Sequence, residues 1–150
     1  MPSYTSDLVD KTFELLTNDP ALNARVKSFT KGDMNTARKI FPFVSVGNVR
    51  YTVTPRTAIH DMYSYSVDVL AGTHCLAPGA AFDGGKTGEN GILQVCNAIV
   101  SALRGSTLDN FLTLPIREIN ISVGPGPAKS SFLWLATVNF TAEKMVQRQV

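Results

Sequence analysis

From Ile40 the apolar residues of this chain begin to recur at every second position in several long runs, and that period restricts it to folds built on a sheet. Tyr63, Tyr65, Val67 and Val69 alternate with Ser64, Ser66 and Asp68, the pattern of a half-buried antiparallel strand with one wet face. Val49, Tyr51 and Val53 alternate in the same way with Arg50, Thr52 and Thr54, and Pro55 closes the run. Upstream, the segment Phe41–Gly47 also reads as strand. Pro42 has no N–H for a ladder, so this segment is expected at a sheet edge or where a strand begins. Towards the end, Ile119, Ile121 and Val123 alternate with Glu118, Asn120 and Ser122. Phe132, Trp134, Ala136, Val138 and Phe140 then mark the inward face of a last strand, with Leu133 and Leu135 on its other side. An apolar pair on an outer face predicts a helix or a neighbouring subunit above it.

Helical spacing is confined to three places. Ser6 can cap a helix starting at Asp7, on which Leu8, Val9, Phe13 and Leu16 form one stripe. Asn18-Asp19-Pro20 ends it, because Pro20 cannot continue a helix and restricts Asp19. Ala21–Phe29 is expected to be a second short helix, and Thr30-Lys31-Gly32-Asp33 a turn. A longer helix is predicted from Gly91 to Arg104, capped by Asn90 and stopped by Gly105, with Ile92, Val95, Cys96, Ile99 and Leu103 on its apolar face. Between strand and helix, Gly72–Gly91 reads as a long glycine-rich loop. The expected fold is therefore α+β: an antiparallel or mixed sheet of about four strands, packed against an N-terminal helix and one long central helix.

The chain has 150 residues, which fits one domain covering residues 1–150 and allows a real core without staples. It is 44% hydrophobic with a net charge of +2, a balance that excludes a disordered chain. Only 17% of residues are charged, against roughly 25% in soluble domains, so part of the surface is expected to be covered by something other than water. No run of about 18 apolar residues exists to span a membrane. The first residues show no basic segment followed by an apolar one, so no secretory signal is expected. The two cysteines, Cys75 and Cys96, read as free thiols in a reducing compartment.

Each chemical motif falls short of its requirement. Gly84-Gly85-Lys86-Thr87 evokes a phosphate-cradling loop, but the glycine required five positions before Gly85 is Ala80, and the helix starts too late. A small nucleotide-binding enzyme therefore rests on a defective loop. His74, Cys75 and Cys96 lack the paired spacing of a zinc site. His60-Asp61 resembles half a catalytic triad, yet Ser64 and Ser66 alternate on a strand face without a nucleophile elbow. No catalytic, metal or cofactor residues are assigned. Charge is more informative: Arg25, Lys27, Lys31, Arg38, Lys39, Arg50 and Arg56 face only Asp33 across that segment. Arg38, Lys39, Arg50 and Arg56 are expected to form a basic face towards an acidic partner or passing DNA.

Taken along its length, the chain resembles the tail terminator (tail-completion, or neck) proteins of long-tailed phages. The resemblance rests on the N-terminal amphipathic helix running into Leu15–Leu22, then Phe41–Gly47, the tyrosine-led strand Tyr63–Val69, the helix ending Ala102-Leu103-Arg104-Gly105, and the two terminal strands. It implies a non-enzymatic virion protein forming a homo-oligomeric ring, a hexamer in the family, that caps the tail tube, stops its polymerisation and joins it to the head connector. It also implies assembly in the host cytoplasm and a final place in the virion neck. A head-completion adaptor or a tail tube protein is the nearest alternative. Under this reading Gly79, Phe82, Gly85, Lys86 and Glu89 belong to a partner-docking loop, and Leu133, Leu135, Phe43 and Val44 to a subunit interface.

Overall fold

The computed structural model describes residues 4–32, 40–74, 80–83, 91–125 and 133–148. Among the described residues, four helices, α1 (Tyr4–Thr17), α2 (Pro20–Arg25), α3 (Ala80–Asp83) and α4 (Ile92–Leu103), accompany five strands. These are β1 (Ser28–Lys31), β2 (Phe43–Pro55), β3 (His60–His74), β4 (Ile119–Pro125) and β5 (Leu133–Gln147), in the sheet order β1-β2-β3-β5-β4. The α+β class is as expected. The sheet has five strands rather than about four, and it is mixed because β1 runs parallel to β2 while every other pair is antiparallel.

The additional strand replaces the second half of an expected helix. Asp19 caps α2 by accepting from the Leu22 N–H at 3.0 Å, and Pro20 occupies the first turn, where its missing N–H costs nothing. The Asn-Asp-Pro break thus starts a helix as well as ending one. That helix stops at Arg25, not near Phe29. Beyond it, the backbone N–H groups of Lys27 and Ser28 donate to the Pro42 carbonyl, and Ser28–Lys31 enters the sheet beside Phe43–Val46. Pro42 therefore precedes the first ladder residue. The turn expected at Thr30–Asp33 shifts accordingly: Thr30 and Lys31 are strand, and Gly32 follows at φ +75°.

The two apolar runs around Gly47 are one strand. Val44 and Val46 face the helices before the register shift, and Val49, Tyr51 and Val53 share that side after it. Asn48, at φ +50°, is the extra residue that swaps the parity from even to odd positions. On the helix side, Val44, Val46, Val67, Val69, Ala71, Ala136, Val138 and Phe140 meet Leu8 and Leu16 of α1 and Ile92, Val95, Cys96, Ile99 and Leu103 of α4. Each fully buried aliphatic side chain among them contributes about 1.5–3 kcal/mol. Thr12 is buried in the α1 stripe, and its hydroxyl donates to the Leu8 carbonyl at 2.7 Å. The cap of α4 is Gly91, without a side-chain bond; Asn90 lies outside the described residues. Gly105, at φ +76°, ends the helix as expected.

Candidate assembly surface

The strand registers sort every described residue of the sheet onto one of two faces. On the face away from the helices, Phe43, Gly72 and Leu135 form the first cross-strand row, followed by Ser45, Leu70 and Thr137, then Gly47, Asp68 and Asn139. Arg50, Ser66 and Thr141 come next, then Thr52, Ser64 and Glu143. Most of this face is polar and internally bonded. The Asn139 amide donates to Asp68 Oδ1 and Ser66 Oγ, each at 2.8 Å, and Arg50 reaches Asp68 at 3.9 Å. Its apolar end is small: Phe41 stacks edge-on against Phe43 at 5.1 Å, and Leu135 borders Gly72.

The opposite, helix-side face is mainly apolar, with Lys31 and Lys144 towards its margins, and the helices do not cover all of it. At the N-terminal end of α1, the four tyrosines of the protein converge. Tyr51 lies 5.5 Å from Tyr65 and stacks at 9° to Tyr63, while Tyr4 meets Tyr63 edge-on at 5.7 Å. Tyr65 is buried at the centre, and burial pushes its pKa up to about 12, with the neighbouring tyrosines adding to the rise. Lys144 sits 4.2 Å from the Phe111 ring centre and donates to the Phe111 carbonyl; burial lowers its pKa. Tyr51 itself is 51% exposed, and Val53 beside it 44%.

Both residues lie where β2 has lost its neighbour. β1 pairs only with Phe43–Val46, so among the described residues the outer edge of β2 from Val49 to Pro55 has no strand partner. At the far side of the sheet, β4 is the other edge, and Ile121, also on the helix-side face, is 45% exposed. Open edges carrying exposed apolar side chains are a liability in a protomer that stays alone.

The expected site residues separate into distinct surroundings. Leu133 and Leu135 do lie on the outer face of β5, half-buried. Phe43 and Val44, expected at a subunit interface, are 0% and 1% exposed within the chain, on opposite faces of β2, and act as packing residues. Phe82 is also packed, 4.6 Å from the Trp134 ring, and helps close the core. Gly79, Gly85, Lys86 and Glu89 of the docking loop lie outside the described residues, as do Arg38 and Lys39. The described basic residues do not share a face. Arg50 is on the polar face and Arg56 at the β2–β3 turn, whereas Lys31 projects to the helix side and pairs with Asp10 at 2.6 Å.

The candidate catalytic residues are held apart. His60 Nδ1 is 3.1 Å from the Thr57 hydroxyl, and Asp61 accepts from Arg148 Nε at 2.8 Å. Ser64 is four residues along the strand from His60, about 13 Å at 3.3 Å per residue. Ser66 is committed to Asn139. Cys96 is 3% exposed, and burial raises its pKa to about 11, which suppresses the reactive thiolate. In a Cys75→Ser background, modification of Cys96 by a maleimide at pH 7.5 is expected only at the rate of unfolding, measured as denaturant-dependent labelling; rapid labelling of that folded variant would contradict its placement. Among the described residues no group of three or more His, Cys, Asp or Glu side chains could hold a metal ion, and no helix is long and apolar enough to cross a membrane.

Comparison with known proteins adds a fold and no family. No protein-family model matches the chain, and no curated protein matches it. Among solved structures it is similar to a chain in the virion of a native gene transfer agent particle, with a TM-score of 0.53 and 13% identity over 97% of this chain and 100% of that one. The α+β fold described above is thus one that also occurs in a subunit of that particle.

Proposed function

We propose that this chain is a structural, non-enzymatic virion protein that forms a ring in the neck of a phage-like particle, caps the tail tube, stops its polymerisation and joins it to the head connector. The observation that carries this reading is the pair of sheet edges left open among the described residues, each with large apolar side chains exposed on the same face. A subunit with two different sticky edges associates head to tail, and such an interface closes into a ring when the rotation allows. The fold shared end to end with a subunit of a gene transfer agent virion supports a place in a phage-like particle. Partners are sibling copies, the tube protein and a connector or adaptor, with no cofactor. Arg50 and Arg56, both exposed, are available for non-specific contact with passing DNA.

Electron microscopy of the purified chain, alone and mixed with tail tubes, tests the role. The expected result is a closed ring that seats once on a tube end. Long cylinders of this chain alone would reassign it as a tube subunit, and rings that bind only connectors would make it an adaptor.

A further inference from the structure

The two open edges are complementary in a way that fixes how copies meet. We infer that residues Val49–Pro55 of β2 in one copy pair antiparallel with Ile119–Pro125 of β4 in the next, with Val53 opposite Ile121 and Tyr51 opposite Val123. The inference rests on the ring reading above and adds the identity and register of the seam. Three observations carry it.

The first is direction. β2 is antiparallel to β3, β3 to β5 and β5 to β4, so β4 runs opposite to β2. When copies are related by rotation with the same face inward, β4 therefore meets the neighbour's β2 in an antiparallel sense.

The second is facing. At this register Val49, Tyr51, Val53 and Pro55 stand on the helix side opposite Pro125, Val123, Ile121 and Ile119. On the other face Arg50, Thr52 and Thr54 stand opposite Gly124, Ser122 and Asn120. Apolar meets apolar and polar meets polar along the full length of both edges. The exposed Tyr51, Val53 and Ile121 become one covered cluster, backed by the Tyr63 and Tyr65 rings.

The third is stagger. Ile119 is level with Val49 through Phe140 and Val67, so full overlap requires each copy to step along its neighbour by six residues, from Val49 to Pro55 allowing one row per residue. Six residues advance about 20 Å, and the four strands β2, β3, β5 and β4 span about 19 Å, giving a strand tilt of about 45°. Closed sheets have tilts of typically 35–45°. A two-fold pairing of β2 with β2 would instead leave Ile121 uncovered.

Disulfide trapping reads the seam directly. Opposed residues in antiparallel strands have Cα atoms about 4.5–5.5 Å apart, within disulfide range. In a Cys75→Ser background, chains carrying Val53→Cys are mixed with chains carrying Ile121→Cys and oxidised gently. A mixed cross-linked dimer is expected, and the doubly substituted chain should give a ladder ending at the ring. Thr52→Cys with Ile121→Cys, on opposite faces, should remain unlinked. Sedimentation of the unsubstituted chain is measured alongside. A closed oligomer without the Val53–Ile121 link overturns the seam and leaves the ring standing. Efficient Val53-to-Val53 linkage overturns it in favour of a two-fold dimer. A lone protomer at every concentration overturns both readings.

Discussion

Replacing Gly72 by valine is expected to destabilise the folded chain by about 3 kcal/mol, lowering its melting temperature by roughly 6–12 °C for a protein of this length. A Cβ at this position would stand 2.4 Å from Phe43 Cε1, 2.9 Å from Phe43 Cζ and 3.0 Å from Leu135 Cδ2. The Phe43 ring cannot swing away cheaply, because it is fully buried and Phe41 stacks against its edge. Gly72→Ala should cost about 1–3 kcal/mol by the same clash. Phe43→Leu removes the offending ring atoms, so Gly72→Ala combined with Phe43→Leu should cost less than the sum of the two single changes. Thermal melts of the four proteins supply the cycle, and strict additivity would show that the contact is not the cause.

Gly72 also shows where sequence reading stops. As the first residue of a glycine-rich stretch it reads as the beginning of a loop, yet β3 continues through it to His74. Glycine is required there for a cross-strand contact with Phe43, and its partner is set by tertiary register. Nothing in the local pattern carries that information.

The long alternating segments were legible for a plain reason. In β3 and β5 one face is core and the other is wetter, so period-two patterning reports the fold directly; β4 keeps the alternation at the sheet edge. The helix Ile92–Leu103 was equally clear, because its five apolar positions form a single stripe. β1 was not. Four residues are too few for a period, and its strand state comes from the Pro42 carbonyl and the flank of β2. The segment after α4 was silent as well. Leu108, Asp109 and Asn110 all take positive φ, held by Ser106 and Thr107 hydroxyls that accept from the Leu108 and Asn110 N–H groups. That turn buries Leu108, Phe111, Leu112 and Ile116, which no periodicity announced.

The assembly surface was half legible. Low charge and an apolar pair on the outer face of the last strand pointed to a covered surface, and Leu133 and Leu135 do occupy that face. The exposed apolar residues that matter most, Tyr51, Val53 and Ile121, sit on the core-facing parity and read as ordinary core. Among the described residues, β1 stops at Lys31 and β4 is an edge strand, which leaves them uncovered. Edge position is a property of strand order, which one-dimensional patterning does not encode.

Those three residues give the second large effect. Ile121→Lys is expected to weaken self-association at least about a hundredfold while leaving the isolated protomer within roughly 0.5 kcal/mol of its original stability. In the protomer Ile121 is 45% exposed, so a lysine there keeps its charge in water. In the paired state the same ammonium would be enclosed against Val53 without a counter-ion, and burying an unpaired charge costs several kcal/mol. A cost of about 3 kcal/mol corresponds to that hundredfold factor. Val53→Lys should act alike, because it approaches the same contact from the neighbouring copy. Mixing the two faces of the contact separates this account from a general loss of solubility or folding. Val53→Lys combined with Ile121→Glu restores an opposite-charge pair across the seam and should recover much of the lost association, in a salt-dependent manner. Sedimentation equilibrium of the wild-type, single and double variants measures it. If the charge pair fails to restore association while each protein melts normally, Val53 and Ile121 do not face each other, and the chain must cover its open edges with different partners.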